Sequence, residues 1–229
     1  MKKKLFFYLV ILVLFLINCN QTIERDFVFN PTKPTKYQFD FTSDQLNLSS
    51  KLTCNYENKN DVVKVSTLID ELQYKGNSEM DKQINAEYQN YVNTTIISKY
   101  NKYGNSLDKE NSDKRAINPE LFVVEYPKHK IKEGDTWTGQ KSPNPDFIFK
   151  AIKTKYKLIE IKDNNNIINV EMTFEKEAES NAIMNSMTKS YNGHYVVDNN
   201  GVVKSAELDM KAFSGISNLK GKIQIKEIK

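Results

Sequence analysis

The sequence predicts an α+β domain made mainly of antiparallel strands, with one amphipathic helix packed on one face of the sheet. Three observations predict it. Apolar and polar residues alternate with a period of two in several segments, most cleanly where Ile168, Val170, Met172 and Phe174 interleave with Asn169, Glu171, Thr173 and Glu175. Turns containing Asn, Asp and Gly separate such segments at hairpin spacing. One stretch instead follows helical steps, placing Met80, Ile84, Tyr88 and Tyr91 on a common face. Strands that alternate in this way bury one side only, so that side needs a cover.

Taken in order, Tyr37, Phe39 and Phe41 alternate with Gln38 and Asp40 and start the first strand. A second strand runs near Lys51–Glu57, and the turn Asn58-Lys59-Asn60 leads to a third at Val62–Tyr74. Ser78-Glu79-Met80-Asp81 has the form of a capping box and opens the helix. Thr94–Tyr100 and Asn105–Lys109 form a hairpin around Asn101–Gly104, and residues 110–120 form a charged boundary. In the second half, Lys153–Lys162 and the strand at Ile168 flank a turn at Asp163–Asn166, and a helix is placed near Glu177–Met187. Tyr191–Val197 and Val202–Phe213 then flank Asp198-Asn199-Asn200-Gly201, and Gly221–Ile228 is the last strand. Residues 36–229 are thus one β-rich domain, with halves 36–110 and 121–229 that repeat a strand-strand-helix-hairpin order and share a sheet.

The start of the chain has a different character. Lys2, Lys3 and Lys4 precede Leu5–Ile17, an apolar run of 13 residues. As a helix it would span about 20 Å, short of the roughly 30 Å hydrocarbon core and suited to a signal peptide. Leu16-Ile17-Asn18-Cys19 resembles the lipobox of bacterial lipoproteins, although Asn18 is bulkier than the small residue usual before the cysteine. The resemblance implies export, cleavage after residue 18 and acylation of the Cys19 thiol, such as by diacylglycerol and palmitate. Several acyl chains on one residue suffice for stable anchoring. It also implies the outer membrane in a host with two, because Asn20 is not the Asp of inner-membrane retention. Residues 19–35, polar and carrying Pro31 and Pro34, are expected to be a lipidated tether.

After Tyr126-Pro127 comes Lys132-Glu133-Gly134-Asp135-Thr136-Trp137. This Gly-Asp-x-Trp segment resembles one that opens the second half of certain duplicated, β-rich envelope lipoproteins, and the resemblance implies no activity. On the residues alone, Gly134-Asp135 makes a turn and Trp137 begins a strand that buries the chain's only indole.

Composition narrows the function classes. Losing Lys2, Lys3 and Lys4 with the signal brings the formal charge from +4 to +1, so no basic surface for nucleic acid is expected. Of the two cysteines the lipobox takes one, which leaves Cys54 without a disulfide partner and on a buried strand face. His129 and His194 are far apart and belong to no Cys/His cluster, so no metal site is expected. Asp163–Asn166 and Asp198–Gly201 lack the alternating ligands of a calcium loop and read as turns. Ser214-Gly215-Ile216-Ser217 is not a nucleophile elbow, and Asp70-Glu71 is one of many acidic pairs. Pro143-Asn144-Pro145-Asp146 before Phe147-Ile148-Phe149 reads as a rigid strand entry. No catalytic residue and no cofactor is assigned. The expectation is a non-enzymatic envelope protein that binds or supports a partner. The alternatives are a carrier of lipophilic molecules held between sheet and helix, and a hydrolase with a dispersed site.

Overall fold

The two-residue alternation is realised as one ten-stranded antiparallel sheet. The computed structural model describes residues 23–44, 47–74, 79–107, 117–141, 149–176, 188–213 and 218–229. The strands are β1 (Glu24–Arg25), β2 (Thr35–Ser43), β3 (Asn47–Lys59), β4 (Val62–Tyr74), β5 (Thr95–Asn101), β6 (Ile131–Lys132), β7 (Thr136–Lys141), β8 (Phe149–Glu160), β9 (Asn166–Lys176), β10 (Thr188–Val197), β11 (Val203–Phe213) and β12 (Asn218–Ile228). The large sheet has the order β5-β4-β3-β2-β12-β11-β10-β9-β8-β7, and β1 pairs separately with β6. Strands of both sequence halves therefore share a single sheet, joined where β2 lies against β12.

Register carries the apolar face across the whole sheet. One row runs Trp137, Tyr156, Val170, Gly193, Leu208, Ile223, Phe41 and Leu48 on successive strands. A slip of one residue in any pair would turn that strand's apolar set to water, so the alternation itself fixes the register. The turns help to hold it. Asn60 and Asp61 both have positive φ between β3 and β4, the backbone twist that suits a tight hairpin. Gly201, at φ 72°, closes the β10–β11 turn where a Cβ would meet the Val28 carbonyl oxygen at 2.5 Å.

The sheet is curled. Phe29 N–H donates to the Lys102 carbonyl beyond β5, and the next residue, Asn30, donates to the Asn200 carbonyl in the β10–β11 turn. On a flat sheet β5 and β11 would stand roughly 24 Å apart, at about 4.8 Å per strand. Two consecutive residues can reach both only if the two sides approach each other at this rim. Residues 24–31 form a strap across it, with Phe27 and Phe29 each 1% exposed. Residues 24–31, expected to belong to the tether at 19–35, are instead held against the domain, with Phe27 and Phe29 in its core.

The cover is not the one expected either. The helix α1 (Glu79–Gln89) forms where the spacing predicts, but its contacts lie at the end of β4. Asn85 Oδ1 accepts from Tyr74 N–H, Gln89 Nε2 donates to the Leu72 carbonyl, and Tyr88 stacks on Tyr74. The inner face is covered by residues 117–126, buried almost throughout. This segment begins with a single 3-10 turn, Pro119–Phe122, capped by Asn118 Oδ1. Phe122 packs on Tyr37 and Phe39, while Val123 bridges to Val202. Residues 117–120, expected within a solvated boundary, are therefore interior. The domain is mostly β, with one short helix among the described residues. The expected helix at 177–187, Ser78 of the capping box, and the charged runs of 108–115 lie outside those residues.

Candidate functional site

The inserted segment brings a group of polar side chains into the interior that the sequence pattern did not single out. Trp137, Gly139 and Lys141 alternate on the inward face of β7, and Tyr156 stands beside Trp137 on β8 with their rings stacked at 5.3 Å. Glu125 descends onto them. Its backbone carbonyl accepts from Trp137 Nε1 at 2.6 Å. One carboxylate oxygen accepts from Gln140 N–H at 3.2 Å, and the other from the Tyr156 hydroxyl at 3.3 Å. A Cβ on Gly139 would come within 2.0 Å of that carboxylate, so only glycine leaves room for it.

Lys141 is 2% exposed, and its ammonium donates to the carbonyls of Glu120 and Val123. Burial lowers the Lys141 pKa, while the carboxylates of Glu125 and Glu120 act in the opposite direction. Burial likewise pushes the Tyr156 and Tyr195 hydroxyls well above the ordinary tyrosine range, helped by the nearby Glu125 charge. Chemically, Glu125, Lys141 and Tyr156 are bonded polar anchors under an irregular segment, and the buried Tyr195 hydroxyl beside them has no hydrogen-bond partner among the described residues. The described bonds of Glu125 and Lys141 go to the protein's own backbone and to Tyr156, and both groups are almost fully shielded from water.

The outward face offers a more accessible feature. Across β7 to β10 lies a groove of about 570 Å³. Its floor is a cross-strand row, Thr138, Lys155, Glu171 and Asn192, flanked by Thr136, Lys157 and Asn169. Hydroxyl, amide, ammonium and carboxylate groups alternate along that row, and Trp137, Tyr156 and Val170 also line the groove.

A third polar cluster lies at the strapped rim. The Arg25 guanidinium donates to Asn166 Oδ1 at 3.0 Å and to Asn199 Oδ1, and Asn199 N–H donates to Asn164 Oδ1. Asn turns at 163–166 and 198–201, weighed above as calcium loops, are hairpin turns tied together by a cation of the chain itself. Asp198 caps its own turn, accepting from Asn200 and Val202 N–H groups.

The remaining sequence candidates are dispersed. Cys54 is buried on β3 beside Thr67, as its alternation predicted, and burial raises its thiol pKa to about 11. Trp137 begins β7 after the turn at Gly134, partly buried and hydrogen-bonded, which agrees with the structural reading of Gly-Asp-x-Trp. His129 is exposed in the loop before β6, and His194 lies on β10 opposite Glu207. Asp70 accepts from Thr53, and Glu71 pairs with Lys51. Among the described residues, no three His, Cys, Asp or Glu side chains are grouped to hold a metal ion. Cys19, residues 143–148 and residues 214–217 lie outside the described residues.

Residues 109–206 match the model of a family of unknown function (DUF6263). The matched stretch is less than half of the 229-residue chain. It nevertheless contains the inserted segment, its anchors Glu125, Trp137, Lys141 and Tyr156, and the groove on the outward face. No curated protein and no solved structure matches the chain. No described helix is long and apolar enough to cross a membrane.

Proposed function

We propose that this chain is an exported envelope protein, anchored through lipid on Cys19, whose β domain binds or supports a partner without catalysing a reaction. The observation that carries the reading is that the chain fills the inner face of its own sheet. Ile117, Leu121, Phe122, Val123, Val124 and Tyr126 join the strand residues in one buried cluster. Glu125, Lys141 and Tyr156 beneath that segment are held by structural bonds, and the outward face with its groove is the surface open to a partner. In a host with two membranes, the residue after the anchor, Asn20, favours the outer one.

Two measurements on the native protein test this. Mass spectrometry should find Cys19 as the first residue, carrying acyl chains; an intact Met1 or an unmodified Cys19 would overturn the anchor. Photo-crosslinkers placed at Lys155 and Lys157 in the native envelope should capture a partner more efficiently than crosslinkers at Lys51 and Lys64. Equal yields at both sites would refute the groove as the binding face.

The second reading, a carrier of lipophilic molecules, is favoured by the aromatic character of the inner face, where Phe39, Tyr37 and Tyr195 lie. It requires residues 117–126 to leave that face. Native mass spectrometry of detergent-free protein would then show co-purified lipid, and a lipid-free mass would exclude it.

A further inference from the structure

We infer that the strapped rim of the sheet is a lipid-facing surface, resting against the headgroups of the leaflet that holds the Cys19 anchor. The inference rests on the anchor reading above and adds which part of the domain meets the membrane, and how closely. Five residue steps separate Cys19 from Glu24. At no more than about 3.6 Å per residue, Glu24 stays within roughly 18 Å of the acylated residue.

Glu24 itself is held. It pairs with Lys132 in the β1–β6 ladder, and Arg25 pairs with Ile131 and clamps Asn166 and Asn199. Phe27 and Phe29 are interior, and Asn58 Nδ2 donates to the Pro31 carbonyl. The strap cannot peel away to lengthen the leash without opening the core.

The rim so placed comprises the turns 58–61, 162–165 and 198–201 with the loop 127–130. Its exposed side chains include Lys59, Asn60, Lys128 and Lys130, mixed with Glu24, Asp26 and Asp61. Charges of both signs among amides suit a hydrated headgroup layer and not insertion into hydrocarbon. Ile23, 60% exposed, leads the exposed large apolar side chains of the described residues, and it lies at the junction with the leash. The opposite ends of the strands, such as Gln73 on β4, stand farther off by about 36 Å, eleven residues at roughly 3.3 Å each.

The test uses the full-length acylated protein in phosphatidylcholine vesicles containing a nitroxide-headgroup lipid. Single cysteines are introduced by Asn60→Cys, Lys130→Cys, Gln73→Cys or Lys211→Cys and labelled with a fluorophore; buried Cys54 stays unlabelled. Fluorophores at 60 and 130 should be quenched several-fold more strongly than those at 73 and 211. Acylated protein with equal or reversed quenching would overturn the orientation alone. A mass showing no acyl chain on Cys19 would overturn the anchor reading and this inference with it.

Discussion

Replacing Lys141 by Met tests whether a buried ammonium holds the inserted segment on the sheet. The substitution keeps most of the unbranched side chain, one atom shorter, and removes its donors. The carbonyls of Glu120 and Val123 then lose a partner, at about 1–3 kcal/mol for each group left buried and unpaired. The carboxylates of Glu120 and Glu125 also lose the cation beside them, and removing one partner of a buried charge pair costs about 3–5 kcal/mol. These losses overlap, and relief of the ammonium's desolvation offsets part of them. A net loss of about 3 kcal/mol follows, which for a domain of this size lowers Tm by roughly 6–12 °C. Trp137 is a direct reporter, because it is the only indole and it donates to Glu125. Its fluorescence in thermal and urea unfolding would measure the loss. The control is Lys155→Met on the exposed face, expected to change stability by about 0.5 kcal/mol or less. A second signature concerns pH. Because the folded-state pKa of Lys141 is lowered, the unfolded chain binds the extra proton between that value and 10.5, so this residue makes stability rise with pH across that window. The Met variant should lose that rise. If it is as stable as the Lys155→Met control, the ammonium does not hold the segment; an unchanged pH slope would show that burial does not lower the Lys141 pKa.

Three further predictions test other parts of the structure. Gly139→Ala should destabilise by about 1–3 kcal/mol through overpacking against the Glu125 carboxylate, read as a lower urea midpoint; an unchanged midpoint would show that the carboxylate does not need that space. Arg25→Ala should cost about 1–2 kcal/mol, given a charged donor that is partly exposed. It should raise hydrogen exchange in the 198–202 turn while leaving Leu52 and Ile69 protected; uniform exchange would argue against a local clamp. Finally, burial raises the pKa values of Tyr37, Tyr126, Tyr156 and Tyr195 above the ordinary 10.0. The stability these groups contribute is complete below that pH and lost as pH climbs toward their folded values, at about 1.4 kcal/mol per pH unit for each tyrosine. Tyrosinate absorbance from these four should appear only together with unfolding, and its gradual appearance in the folded protein would refute their burial.

The strands were readable because burial on one side leaves a two-residue signature, as at Ile168–Glu175, and the hairpin turns were readable because Asn and Gly tolerate positive φ. The cover was not readable, for a physical reason. Leu121-Phe122-Val123-Val124 is buried all round, so it carries neither a two-residue nor a helical period. Its carbonyls are satisfied by Lys141 and Trp137, distant in sequence, and no local pattern announces such partners. A trace existed in Lys141, which occupies an inward position after Trp137 and Gly139 where alternation calls for an apolar residue. A similar trace lay in Phe27-Val28-Phe29, whose alternation within a nominal tether already had the form of a buried strand. A short helix does lie at Glu79–Gln89, but it packs at the end of β4 and is not the cover on the sheet face that the spacing predicts.

Buried charge in this domain serves alignment. An apolar segment laid on an apolar face can shift along it at little cost, because hydrophobic contact is non-directional. Glu125 removes that freedom: its carboxylate has room only above Gly139, and its carbonyl meets the indole of Trp137 at the same position. Lys141 adds a second constraint, since its ammonium reaches the carbonyls of both Glu120 and Val123 across one turn of the segment. The same carboxylate accepts the Gln140 N–H of β7, a strand with one neighbour in the sheet. An unpaired edge invites another chain to pair, and here one of its donors is occupied by the chain's own inserted segment. A single glutamate therefore sets the position of the cover and occupies part of the open edge, and both effects follow from the bonds already described.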